Sequence, residues 1–250
     1  PVRFPKPMRV SQIHTNNMDL YPHQTKNALT EMADHLLLYG GLLSDLGLFH
    51  GQMGVILALF HHGRGNDEQV VIDIARELLQ DLLDSIDDSL LSCLDSGYAG
   101  LAWGLCYLQW ASFIDVDLSD LLEEVDNKIK ETDITRISDL SLEKGLVGIL
   151  HYVLFRSLVQ PSFASKDPAY MASWKERMSR DRDNIRRVNP SGSEWIGEHL
   201  DISAPLDYSP RLVLQQWLPT ECLGSSFDPK GLPIGLRQGI AGQLLKAYLP

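Results

Sequence analysis

Cysteine is sparse in this chain: Cys93, Cys106 and Cys222 are the whole complement, an odd number with no Cys-x-x-Cys spacing. That excludes a disulfide framework and a locally written zinc knuckle, and it assigns the thiols as reduced, small apolar side chains. Strand-like alternation is nearly absent, so the expected class is all-α. The longest apolar runs are about twelve residues, short of the roughly 20 that a membrane-spanning helix needs. Basic side chains are also in short supply, 22 against 33 acidic ones, for a formal charge of -11. Such a surface repels phosphate backbones and anionic lipid, so neither nucleic acid nor a membrane is expected as a partner. The one basic stretch, Lys175 to Arg187, is interleaved with Glu176, Asp181 and Asp183 and reads as a solvated helix face.

No N-terminal segment combines a basic start with an apolar run, because Pro5 and Pro7 break it; a cytoplasmic protein is expected. Residues 1–22 read as an extended N-terminal arm, a candidate contact to another subunit of a homo-oligomer. With a hydrophobic content of 44% over all 250 residues, the remaining 228, 250 less 22, suffice for one domain, 23–250, with a sizeable core.

What the chain does have is a repeat. A polar residue, Gly, two residues and Gly, followed by an apolar run, occur at His50-Gly51-Gln52-Met53-Gly54, Ser96-Gly97-Tyr98-Ala99-Gly100, Lys144-Gly145-Leu146-Val147-Gly148 and Gln238-Gly239-Ile240-Ala241-Gly242. The first glycines are 46, 48 and 94 residues apart, and 94 is twice 47. A degraded fifth copy is therefore expected near residue 192, where Gly192 and Gly197 accompany Glu194, Trp195 and His199. The runs after the glycines, Val55 to Phe60, Leu101 to Leu108 and Leu146 to Val159, are apolar nearly all round apart from His151 and Arg156; such helices are buried on every side.

Amphipathic stretches lie between them. Val71, Ile74, Leu78 and Leu82 share one helical face, as do Leu118, Leu121, Leu122, Val125 and Ile129 behind the capping Asp117. Asp167-Pro168 and Ser209-Pro210 start two more outer helices. An outer amphipathic helix followed by a glycine-opened inner helix gives roughly five hairpins. The layout is that of an α/α toroid, and the hairpin count leaves an incomplete ring open.

Glycines three apart bare one side of the first helical turn and let a neighbour approach closely. If the inner helices start on one rim, their free N–H groups and positive dipole ends converge there and favour polar or anionic ligands. The candidate binding residues are then those around the glycines: His50, Asp95, Ser96, Tyr98, Trp103, Glu143, Lys144, Arg237 and Gln238. His61 and His62 before Gly63 are expected as cationic side chains at a helix C-terminus.

At these motifs the chain resembles the lanthionine synthetase C-like family, whose inner helices open on repeated Gly-x-x-Gly signatures. Leu48 to Val55, with His50-Gly51-Gln52-Met53-Gly54, is similar to the family's His-Gly-x-x-Gly form. The resemblance runs over residues 48–249 and implies a role in peptide modification, with a peptide or protein as substrate. It also implies His50 as an acid–base histidine, although the family uses that residue in a later repeat. Active members hold zinc through a Trp-Cys segment and a Cys-His-Gly segment, and the metal activates a cysteine thiol. Here Trp103 and Cys106 are separated and Cys222 precedes Leu223, so no cofactor is expected; only a long-range set of Cys106, Cys222 and His199 would supply three zinc ligands. The expected role is thus a zinc-free or degenerate accessory that binds a peptide at the toroid rim. Two other readings stay open: a carbohydrate-active α/α toroid using Asp95 and Glu143 as acid and base, and a non-catalytic protein-interaction module.

Overall fold

In a computed structural model the described residues are 23–189, 208–220, 228–229 and 231–249. They contain ten α-helices and no strand: α1 (His23–Tyr39), α2 (Gln52–Asn66), α3 (Gln69–Asp84), α4 (Tyr98–Trp110), α5 (Ser119–Glu131), α6 (Leu146–Val159), α7 (Pro161–Lys166), α8 (Pro168–Val188), α9 (Pro210–Trp217) and α10 (Ile240–Lys246). A short 3-10 turn, Gly40–Leu42, follows α1.

Four of these are the glycine-opened inner helices. Residues 53–60 of α2, 98–108 of α4 and 146–157 of α6 are buried without interruption. The outer helices bury one stripe each. In α3 that stripe is Val71, Ala75, Leu79 and Leu82; Ile74 and Leu78, expected at its centre, lie half-buried along its edge. In α5 the stripe is Leu122, Val125, Asp126 and Ile129. The two proline-led starts form as the sequence dictates: the Asp167 carboxylate accepts from Tyr170 N–H at 3.0 Å, and the Ser209 hydroxyl accepts from Leu212 N–H at 3.4 Å. Each satisfies an N–H that a helix start otherwise leaves unpaired.

Outer and inner helices alternate along the chain as α1–α2, α3–α4, α5–α6 and α9–α10. The expected fifth copy around Gly192 and Gly197 lies outside the described residues, with Glu194, Trp195 and His199, as do the arm 1–22 and Cys222. In space α10 packs on α2, α2 on α4, and α4 on α6. The last repeat therefore lies beside the first. A second tie lies at the far end of the same helix, where Tyr248 bonds His62 Nδ1 at 2.9 Å and accepts from Asn66 at 2.9 Å.

Two expectations about charge are corrected. His61 and His62 lie within α2, which continues to Asn66. His62 is buried, and burial lowers its pKa against the opposing pull of Glu68 and Asp34. His61 packs on Tyr107 and Phe113, and burial assisted by Arg64 and Arg211 drives it down to about 3. The cation at this helix end is Arg64, which donates to the carbonyls of Ala111 and Ser112 at 2.7 Å each and so caps α4. Likewise the basic stretch on α8 is not wholly solvated. Arg177 is buried and donates to the carbonyls of Thr135 and Ile137 at 2.6 and 2.7 Å, fastening α8 to the loop before α6.

Candidate functional site

Each inner helix is entered by a loop that folds back over its first turn. Gln52 N–H donates to Asp45 O at 2.9 Å, Tyr98 to Leu91 at 2.8 Å, Leu146 to Asp139 at 2.9 Å and Ile240 to Pro233 at 2.9 Å. The spacing between donor and acceptor is seven residues in all four. Further first-turn donors are taken in the same way, Met53 by Leu46 at 3.2 Å and Ala241 by Ile234 at 2.9 Å. The first glycine is the N-cap in every copy, with φ between -108° and -118° and ψ between -165° and -176°. A Cβ there would sit 2.3 Å from Asp45 O at Gly51 and 2.0 Å from Leu91 O at Gly97, so the glycines exist to admit the loop carbonyls. The helix-start donors expected to face an anion are spent on the chain itself.

The loops also carry a signal that the glycine spacing left unread. Three residues before each first glycine stands a leucine: Leu48, Leu94, Leu142 and Leu236. Its carbonyl lies against the second glycine of its own repeat, and the side chains of Leu236, Leu48 and Leu94 lie against the second glycine of the next described repeat in the circuit. Added Cβ atoms would meet Leu236 Cβ at 2.9 Å from Gly54, Leu48 Cβ at 3.1 Å from Gly100 and Leu94 Cβ at 2.7 Å from Gly148. Lateral backbone bonds follow the same order: Arg237 N–H to Phe49 O at 3.0 Å, Phe49 N–H to Asp95 O at 3.1 Å, and Leu94 and Asp95 N–H to Glu143 O at 3.1 and 3.0 Å. From the other end of this series Arg237 Nη1 reaches back to the Glu143 carboxylate. Last, first, second and third loops thus form one circuit.

The candidate residues take different places in it. His50, Lys144 and Gln238 are exposed on their loops, and Gln238 has a left-handed φ of 70°. Asp95 is buried: its Oδ1 accepts from Ser96 N–H at 2.6 Å, from the Ser96 hydroxyl at 2.8 Å and from the Cys93 thiol at 3.0 Å. Glu143 is engaged by Arg237, whose guanidinium also lies 5.4 Å from the Phe49 ring centre. The carboxylates read as acid and base are therefore each held by loop partners. Tyr98 and Trp103, expected at the rim, belong to the core; Tyr98 donates to Asp87 O at 2.7 Å and Trp103 Nε1 to the Tyr208 hydroxyl at 2.8 Å.

Trp217 of α9 packs on Phe49, Trp103 and His151, at ring distances of 5.3, 4.7 and 5.4 Å, one residue from each of the first three repeats. Tyr208 stacks on Phe155 at 5.5 Å and lies 3.4 Å from His151 Nδ1. Burial alone pushes His151 down to about 3, and burial, against the opposing pull of Arg156, raises the Cys106 thiol to about 12, so both are neutral near pH 7. Beside them Asp126 accepts from the Tyr152 hydroxyl at 2.5 Å and from Arg156 Nε at 3.1 Å. Arg156, the charged exception in an apolar run, is explained by this buried pair joining α5 to α6. Among the described residues no group of three His, Cys, Asp or Glu is placed to hold a metal ion, and no helix is long and apolar enough to cross a membrane.

Outside the circuit, a cleft of about 420 Å³ opens between residues 43–46 after the 3-10 turn and residues 85–90 after α3, with Gln52 and Ser96 at its back. Of the expected rim residues, Ser96 alone lines it. Its ionisable side chains are Asp45 and Asp87. The hydroxyl and N–H of Ser89 bond Asp87 Oδ1 at 2.5 and 2.8 Å and lower its pKa; Asp45 Oδ1 accepts from Gly47 N–H at 2.7 Å. No protein-family model matches the chain, and no curated protein or solved structure matches it either.

Proposed function

We propose that this chain is a lanthionine synthetase C-like α/α toroid that serves peptide modification as a non-catalytic, zinc-free accessory, holding a peptide on its loop-bearing face. The reading is supported by four equivalent glycine loops in one circuit, the last repeat packed on the first. An open solenoid keeps its terminal repeats apart; a ring joins them. The observation that carries the non-catalytic part is the aromatic cluster of Trp103, His151, Tyr208 and Trp217. It occupies the ground between three repeats where a ring enzyme needs an open chamber. The Asp95 and Glu143 contacts count against the carbohydrate reading, because a general acid must be free to reach its substrate.

Incubating the purified chain with a dehydrated, cysteine-containing precursor peptide and equimolar zinc tests this. The peptide is expected to bind, its thiols staying fully open to alkylation by mass spectrometry. Thioether formation would refute the non-catalytic assignment, and absence of any peptide binding would refute the accessory role.

A further inference from the structure

Helix α9 runs from one end of the helix assembly to the other. At its C-terminal end Trp217 packs on Phe49 of the loop circuit, and just before its first residue Tyr208 stacks on Phe155, near the C-terminal end of α6. Its N-terminus therefore lies away from the circuit, where the inner helices finish. Arg211 stands in that first turn, and its charge reaches His61 on α2 and Tyr107 on α4. Arg64, in the last turn of α2, acts on the same two side chains. Two guanidinium groups thus share one neighbourhood, around the 3.0 Å hydrogen bond between His61 Nε2 and the Tyr107 hydroxyl.

Among the described residues nothing offsets these charges. The arginines with carboxylate partners are Arg76, Arg136, Arg156, Arg177, Arg180 and Arg237, and neither Arg64 nor Arg211 is one of them. His61 and Tyr107 are neutral at pH 7, because burial lowers the pKa of the first and raises that of the second. Arg64 spends two of its five donors on the Ala111 and Ser112 carbonyls and lies 3.4 Å over the Phe113 ring centre. The Nε of Arg211 is buried with no hydrogen-bond partner among the described residues. A donor on a charged group is costly to leave in that state. Its place adds to the cost, since the first turn of a helix favours an anion and disfavours a cation. Acidic side chains are not scarce in this chain, at 33 against 22 basic ones, yet none of those described is placed to answer. The Nε–H edge of a guanidinium, with the adjacent Nη–H, is the fork that takes two oxygens of one oxyanion side by side.

We propose that Arg211 and Arg64 together bind a small oxyanion, the phosphate or carboxylate group of a small molecule, at this end of the fold. The oxyanion takes the Nε–H edge of Arg211, supplies the missing counter-charge and lies at the positive end of α9. The site is on the face opposite the glycine loops, and the proposal goes beyond the accessory role without resting on it.

The full chain is titrated with inorganic phosphate and, separately, with acetate, each against chloride at constant ionic strength. The arginine Nε–Hε signals are followed by NMR, that of Arg211 being assigned by its absence from R211Q. The Arg211 signal should move with phosphate or acetate until it saturates, and chloride should leave it in place. Saturation by phosphate alone would make the ligand a phosphoryl compound, and saturation by acetate alone a carboxylate; either upholds the site. Stability gives the second readout. In chloride, R211Q should match or exceed the urea midpoint of the parent chain, because it removes a cation that has no partner. With the saturating anion at about ten times its dissociation constant, the folding constant of the parent should rise about tenfold, while that of R211Q stays unchanged. An equal rise in both chains would be a general salt effect and would overturn the proposal. So would an Arg211 signal that neither anion moves, or an R211Q chain less stable than the parent in chloride, since Arg211 would then have a partner within the fold. Neither readout involves a peptide, so this site and the accessory role fail separately.

Discussion

Gly100→Ala isolates the feature on which the loop circuit depends. The new methyl would lie 1.9 Å from Leu94 O and 3.1 Å from Leu48 Cβ. Relief requires the loop to withdraw by more than an ångström, because backbone, not a flexible side-chain end, is in the way. That movement removes the Gly100 N–H bond to Cys93 O at 3.3 Å and strains the Tyr98 bond to Leu91 O at 2.8 Å. Two buried hydrogen bonds at about 1 kcal/mol each and overpacking of about 1–3 kcal/mol stand against a helix-propensity gain of up to about 1 kcal/mol. The net loss is about 2–4 kcal/mol, which lowers Tm by about 5–15 °C in a domain of this size. Gly104→Ala, one turn later in α4, is the internal control. Its methyl would meet Met53 Cγ and Sδ at 2.5 Å, an unbranched side chain that can re-pack, so its cost should be smaller by about 1 kcal/mol or more. Thermal and urea melts followed at 222 nm read both. Gly100→Ala as stable as the parent chain, or no worse than Gly104→Ala, would refute the reasoning.

The remaining predictions concern the buried polar groups and the aromatic cluster. Arg156→Met should destabilise by about 3–5 kcal/mol because it strands Asp126, whose carboxyl burial already raises above the usual range; a double variant with Asp126→Leu should recover much of that loss in urea titrations, and no recovery would argue against a coupled pair. His151, held neutral to about pH 3 by burial, binds a proton in the unfolded chain near its ordinary 6.5 and not in the folded one. Its contribution is therefore present above about pH 6.5 and is lost at up to about 1.4 kcal/mol per pH unit as pH falls toward 3; His151→Leu should flatten the fall of the urea midpoint between pH 7 and 4.5, and an unchanged slope would contradict the assignment. Trp217→Ala should cost about 3–5 kcal/mol, since it empties a contact shared by three repeats, and a loss under about 1 kcal/mol in the same melts would contradict that packing role.

The parts legible in the sequence were those with local causes. Glycine pairs at constant spacing marked all four described inner-helix starts, and uninterrupted apolar runs marked their burial. Proline behind Asp167 and Ser209 marked two outer starts. The close approach that the glycines permit was legible too; what escaped was that the neighbour is the chain's own loop, because the seven-residue bond from Tyr98 to Leu91 and its counterparts is a property of loop geometry rather than composition. The leucine three places before each glycine was a readable clue, masked by the abundance of leucine elsewhere. Pairings across helices, such as Asp126 with Arg156 and Arg177 with the Thr135 and Ile137 carbonyls, leave no local trace. For the same reason Trp103 and Tyr98 could be named as rim candidates, although large aromatics in a buried helix are more often core, which is where their partners hold them.

Single-residue amide hydrogen exchange tests the closed circuit most directly. Phe49, Leu94, Asp95 and Arg237 carry its lateral bonds, and Gln52, Tyr98, Leu146 and Ile240 carry the four seven-residue bonds. All eight amides sit in or next to loops, where exchange is ordinarily fast. The account predicts that they exchange as slowly as the centres of α2 and α4, only through global unfolding. Fast exchange at Arg237 or Phe49, with the helix centres still protected, would contradict it, because the last loop would then not be joined to the first.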